Sequence, residues 1–218
     1  MKRYILLGAS AVILAVSVIL GPSVLGMYRL QQFVTSTTVA DEADGGKWPR
    51  VTDACTTCHG VKGSSLNQNY PSLAGQPAPY IVAQLHGFAS GTRANPTMGP
   101  LAMTMTDADI QRLATYFSGQ EAQENRYFKA SQQLSVRGES LVQAGGCAAC
   151  HGEKLMGQEQ FPRLAGQGYD YILKQFDAFA NGTRTEASGT MKALSAGASA
   201  EDRKAMASYL ASLPPSRK

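Results

Sequence analysis

Cysteine is scarce in this 218-residue chain, and none is spare. All four cysteines fall in two strings of one form, Cys55-Thr56-Thr57-Cys58-His59 and Cys147-Ala148-Ala149-Cys150-His151, which leaves no thiol for a disulfide. Histidine is as sparse: of three, only His86 stands outside the strings. Surplus charge is missing too. The formal +4 includes Lys2, Arg3 and Arg29, and residues 41–218 carry 17 basic against 16 acidic side chains, so the chain has no electrostatic footprint for nucleic acid. From Tyr4 to Tyr28 there is no charge at all.

The two strings are what the sequence does have. CxxCH is the attachment pattern of a c-type haem: two thiols add across the haem vinyl groups, and the adjacent histidine remains as an axial ligand to iron. A zinc hook places its second pair about 15 to 20 residues on, whereas 88 residues separate Cys58 from Cys147. A redox dithiol needs no histidine directly after it, still less the same one twice. The reading is therefore two covalently bound haem c groups, with His59 and His151 as metal ligands. A haem would also supply much of the apolar interior that domains of this size lack.

The uncharged run is 25 residues long, enough at about 1.5 Å per residue to span a bilayer. Signal-peptide apolar cores run about 7 to 15 residues, and the best small-residue cleavage string, Thr38-Val39-Ala40, lies well beyond this one. The expectation is an uncleaved anchor over 1–29, kinked or ended near Gly21-Pro22. Lys2 and Arg3 precede the span and only Arg29 follows closely, which puts the N-terminus in the cytoplasm and the rest in the periplasm. Residues 30–45 are polar without apolar period and read as a flexible tether.

Beyond the strings the halves superimpose. Tyr70-Pro71-Ser72-Leu73-Ala74-Gly75-Gln76 matches Phe161-Pro162-Arg163-Leu164-Ala165-Gly166-Gln167, and Tyr80 to Phe88 matches Tyr171 to Phe179 at helical spacing. Gly91-Thr92-Arg93 matches Gly182-Thr183-Arg184. Thr106 and Ser199 then open capped helices. The predicted architecture is all-α: a first haem-bearing domain at 46–120, a connection at 121–133 and a second domain at 134–218. The second has a leading helix over Ser131 to Ala144, stopped by Gly145-Gly146. The first has no room for one, because Pro49 falls six residues before Cys55.

An iron that carries electrons without binding small molecules needs a sixth ligand, usually methionine or histidine. His86 lies within a predicted helix, its repeat partner is Asp177, and it reads as a surface residue. In the second half Met156 follows His151 too closely and Met206 reads as core, which leaves Met191, eight residues before Ser199. In the first half Met98 is eight residues before Thr106, whereas Met103 and Met105 align with Ala196 and Ala198. Met98 and Met191 are the candidates. Each histidine also needs an acceptor for its other ring nitrogen. The carbonyls of Pro71 and Pro162 are placed to serve, or these prolines merely turn the chain.

With CxxCHG, Pro-x-Leu-Ala-Gly-Gln, Tyr and Gln on a helix, and Met eight residues before a Ser/Thr cap, all twice over, residues 46–214 resemble the dihaem class I cytochromes called cytochrome c-four. The resemblance implies two cytochrome folds about a pseudo-twofold axis, His/Met ligation, haem edges facing each other across the interface, and the proline-carbonyl bond to each histidine. It further implies a single-electron carrier between a quinol-oxidising cytochrome bc complex and a haem-copper terminal oxidase. The alternative is the electron-accepting cytochrome subunit of a periplasmic dehydrogenase. A dihaem peroxidase would need one open iron, and each site here has a methionine candidate, so the chain reads as an electron-transfer protein and not an enzyme. The N-terminal anchor and the abrupt start of the first domain depart from the soluble members.

Overall fold

The structure is a computed structural model that describes residues 2–44, 46 and 50–216, with side chains at 2, 4–7 and 11–13 left aside. Met1, Gly45 and Pro49, which bound the expected anchor, tether and first domain, lie outside the described residues. Among the described residues the chain forms ten α-helices, one 3-10 turn and no strand beyond an isolated bridge between Gln158 and Phe161. It divides into two units, Met1–Arg50 and Val51–Lys218.

The first unit is one helix, α1 (Lys2–Ala43), of 42 residues. It contains a segment, Gly8–Ala43, long and apolar enough to cross a membrane. Pro22 sits inside it without ending it. The tether expected at 30–45 is helical as far as Ala43. No glycine or proline interrupts the chain between Gly26 and Gly45, and a helix once nucleated gains a hydrogen bond with each residue added. The hydroxyls of Ser36, Thr37 and Thr38 bond back to Phe33 and Val34 carbonyls, which satisfies them without breaking the ladder. At its end Arg50 reaches the Asp41 carboxylate and the Gly46 carbonyl.

In the second unit the first repeat supplies α2 (Asp53–His59), a 3-10 turn (Val61–Gly63), α3 (Ala78–Ala89), α4 (Met98–Met103) and α5 (Asp107–Gly119). The second supplies α6 (Gln132–Ala144), α7 (Ala148–His151), α8 (Tyr169–Ala180), α9 (Thr190–Gly197) and α10 (Ala200–Ser212). Helix starts follow their caps. Thr106 and Asp109 form a reciprocal capping box, and Ser131 and Ser199 accept from Leu134 and Asp202. Hydrogen bonds from Thr106, then Arg112, hold the Asp109 carboxyl down to about 2.

Each repeat has a thin core. In the first, Ile81 and Leu85 of α3 meet Ile110, Leu113, Ala114 and Phe117 of α5. In the second, Ile172 and Phe176 of α8 meet Met206, Ala207, Leu210 and Ala211 of α10, with Val142 from α6. Helix α6 lies across α10 so closely that a Cβ on Gly138 would sit 2.1 Å from the Ala205 carbonyl oxygen. Among the described residues α5 has no such partner. Its counterpart of Ala205 is Arg112, which is exposed.

Candidate functional site

Cys55 and Cys58 stand three apart on α2, hence on one face, and His59 ends the helix. In the second copy Cys147 caps α7 and His151 ends it. The glycine after each histidine, Gly60 at φ 77° and Gly152 at φ 83°, turns the chain with a backbone conformation that other residues rarely adopt. Both histidines are buried, 8% and 6% exposed. His59 Nδ1 lies 2.8 Å from the Pro71 carbonyl oxygen, and His151 Nδ1 lies 2.8 Å from that of Pro162. A carbonyl can only accept, so Nδ1 carries the hydrogen and Nε2 keeps its lone pair. Against the opposing pull of the carbonyl, burial pushes both imidazoles below their ordinary pKa, which favours the neutral ring.

The segment after each proline is pinned to two elements. Leu73 and Ala74 donate to the Gly63 carbonyl at 2.7 and 3.0 Å, and Leu164 and Ala165 donate to Leu155 at 2.8 and 3.1 Å. Gly75 and Gly166 donate to Phe117 and Leu210, at the ends of α5 and α10. The acceptor for each histidine is thus set by the loop after the haem string and by the last helix of its repeat.

The four thiols are half-buried and unpaired. Burial foremost raises the Cys55 and Cys147 thiols, and the Asp53 carboxylate adds to the effect at Cys55. Among the described residues no three His, Cys, Asp or Glu side chains converge as a metal cluster. Cys55 and Met98 border the first core, Cys147 and Met191 the second. Met103 is 71% exposed and Met206 is core, whereas Met105 and Met156 also flank the cores. Met98 opens α4 and Met191 lies in the first turn of α9. Their backbone N–H groups are each held by a side chain, Asn95 Oδ1 at 2.8 Å and Glu186 Oε1 at 2.9 Å. His86 is exposed, 3.8 Å from Asp107, as expected of a surface residue.

Residues 135–214 match the family model described as cytochrome c, and residues 48–117 match that of cytochrome c oxidase, cbb3-type, subunit III. Cytochrome c4 of Pseudomonas aeruginosa is 34% identical over 170 residues, 73% of this chain and 83% of that protein. The chain belongs to the cytochrome c4 family. The crystal structure of reduced cytochrome c4 from Pseudomonas stutzeri superimposes with a TM-score of 0.71 at 32% identity, covering 79% of this chain and 97% of that one. A protein named thiosulfate dehydrogenase electron acceptor, from Stutzerimonas stutzeri, is 33% identical over 73% of this chain and 79% of its own length.

As a member of the cytochrome c4 family the chain is a dihaem electron carrier, with haem c attached through Cys55 and Cys58 and through Cys147 and Cys150. The residues fit the group. Each site offers two unpaired thiols, a neutral buried imidazole with Nε2 uncommitted, and a core whose flank is apolar and half-exposed. Haem iron supplies a one-electron couple; the protein sets ligand orientation, burial and the field around it.

The two repeats meet through side chains that the sequence aligned without giving them a role. Arg93 donates to Gln84 (2.7 Å) in its own repeat and to Tyr171 and Gln175 (3.0 Å each) in the other. Arg184 mirrors it, donating to Gln175 (2.8 Å), Tyr80 (3.2 Å) and Gln84 (3.2 Å). Each guanidinium also covers its own phenylalanine, Phe88 at 4.6 Å and Phe179 at 4.5 Å. Among the described residues no carboxylate bonds to either arginine, so the cluster holds two positive charges among neutral partners. Burial opposes ionisation of Tyr171, yet Arg93 and Arg184 outweigh it and bring its hydroxyl below the ordinary value. Arg163, 1% exposed, donates to carbonyls of Ala74, Ala165 and Ser72. Asn95 and Glu186 were also missed. Asn95-Pro96 was a turn signal that could have flagged the first, but nothing local marks Glu186.

Proposed function

We propose that this is a membrane-tethered periplasmic carrier that takes single electrons from a cytochrome bc complex and passes them to a haem-copper terminal oxidase. The observation that carries the reading is a helix fit to cross a membrane preceding a cytochrome c4-type pair. In this reading α1 sits in the inner membrane with Lys2 and Arg3 on the cytoplasmic side. The helical residues 30–43, about 20 Å at 1.5 Å per residue, act as a stalk. Confinement to the membrane plane raises the effective concentration at membrane-bound partners.

The proposed axial pairs are His59 with Met98 and His151 with Met191. The Pro71 and Pro162 carbonyls orient the histidines and raise their basicity. Methionine, soft and neutral, favours ferrous iron and raises the potential. The proposed domain boundaries are 46–120 and 134–218, joined by 121–133.

A second reading is an electron-accepting subunit of a periplasmic dehydrogenase, and the relative named thiosulfate dehydrogenase electron acceptor favours it. Affinity capture of the tagged full-length protein from detergent-solubilised membranes, followed by mass spectrometry, separates the two. Recovery of bc-complex and oxidase subunits supports the carrier. A dehydrogenase catalytic chain in fixed ratio replaces it with the second reading.

A further inference from the structure

Gln76 and Gln167 occupy equivalent places in the two repeats, are 4% and 2% exposed, and reach across the interface. Gln76 Oε1 accepts from the Arg163 backbone N–H at 2.9 Å while its Nε2 donates to the Arg163 carbonyl at 3.0 Å. Gln167 Oε1 accepts from the Ser72 N–H at 2.7 Å and its Nε2 donates to the Ser72 carbonyl at 2.9 Å. Gln167 Oε1 also accepts from Gly168 N–H at 3.0 Å.

Arg163 and Ser72 are the residues directly after Pro162 and Pro71. The Arg163 N–H and the Pro162 carbonyl therefore belong to one peptide group, and that carbonyl accepts from His151 Nδ1 at 2.8 Å. The Ser72 N–H and the Pro71 carbonyl likewise share a peptide, which accepts from His59 Nδ1 at 2.8 Å. The result is a chain of hydrogen bonds from a glutamine in one domain, through one peptide, to the histidine of the other. A peptide that donates its N–H becomes a better acceptor at its C=O, because linked hydrogen bonds polarise one another. A better acceptor at Nδ1–H makes the imidazole more basic at Nε2.

We propose that Gln76 and Gln167 are positioning residues acting in trans, each tuning the redox potential of the haem in the opposite domain. The proposal rests on His59 and His151 being iron ligands. A more basic imidazole favours ferric iron, so each glutamine lowers the potential of the haem across the interface. The two haems are then tuned only while the domains are docked.

The test is a redox titration of full-length, haem-loaded protein. It is followed by proton NMR, with the haem resonances assigned through the thioether protons of Cys55/Cys58 and Cys147/Cys150. Gln76→Leu should raise the potential of the haem at Cys147/Cys150, by about a threefold change in the ferric-to-ferrous ratio, or about 30 mV at 59 mV per tenfold, and move the other far less. Gln167→Leu should do the converse. Gln76→Glu keeps an acceptor for the Arg163 N–H and should not raise it. Where leucine is not accommodated, Gln76→Ala and Gln167→Ala carry the same expectations. A rise confined to the variant's own domain, equal rises at both haems, no rise, or a rise with Gln76→Glu would overturn the proposal. Failure of histidine ligation is distinguishable, since it turns that haem high-spin, whereas loss of the relay moves the potential with the spin state unchanged.

Discussion

Replacing Gly138 by alanine sets helix propensity against packing, and the structure decides the sign. In a helix interior alanine is favoured over glycine by about 1 kcal/mol. Here the added Cβ would lie 2.1 Å from the Ala205 carbonyl oxygen, and 2.7 Å from both the Ala205 carbonyl carbon and Tyr209 Cβ. Two of the three obstacles are backbone, so α6 and α10 must separate by about 1 Å before the contact is tolerable. Overpacking costs about 1 to 3 kcal/mol and more where nothing flexible can yield, leaving a net loss of about 2 kcal/mol. At about 4 to 8 °C per kcal/mol for a domain of this size, the second-domain transition should fall by about 8 to 16 °C. Because α6 ends at Ala144 and only Gly145 and Gly146 separate it from Cys147, haem attachment at the second string should fall with it. The assay is thermal unfolding read by far-ultraviolet circular dichroism and Soret absorbance, with Gly119→Ala as control. A Cβ at Gly119 meets nothing within 4 Å, so the control should lose nothing. A Gly138→Ala protein as stable as wild type would refute the close crossing of α6 and α10.

Met98→Ala and Met191→Ala should each open one ferrous iron to carbon monoxide, whereas Met103→Ala and Met105→Ala should not; opening by Met105→Ala would reassign the first ligand. The intact protein should retain Met1 or Lys2 at its N-terminus and resist extraction from membranes by salt or carbonate, and a soluble form beginning at Asp41 would contradict the anchor. Residues 41–122 hold 5 basic and 7 acidic side chains and residues 123–218 hold 12 and 9, so donor and acceptor could dock at ends of opposite charge. Lys154→Glu with Lys174→Glu should slow one half-reaction and Asp107→Lys the other, both salt-dependently, as measured by stopped flow; Asp109 is unsuitable because it caps α5.

Much of the site was legible because its signals are local. The CxxCH strings, the caps at Thr106, Ser131 and Ser199, and the Pro-x-Leu-Ala-Gly-Gln turns each depend on residues within a few positions, and each appears in the fold where the sequence put it. Residues 31–43 are helical although mostly polar, because continuation of an existing helix needs no apolar face. The interface was hidden for another reason. Gln76 finds Arg163 87 residues away, and Arg93 finds Tyr171 78 residues away, so only the repeat marked these residues, and it gave no hint that each copy serves the other. Asp177 shows the opposite limit: aligned with exposed His86, it is bound to Arg203 at 2.7 Å, a difference between repeats that no motif encodes.

Both irons are proposed to be six-coordinate and to exchange single electrons. The most direct test is a reductive titration of the untreated full-length protein at neutral pH, followed by exposure of the ferrous form to carbon monoxide. Two one-electron steps at low-spin haems with no carbon monoxide adduct are predicted; stoichiometric carbon monoxide binding at either haem would contradict it.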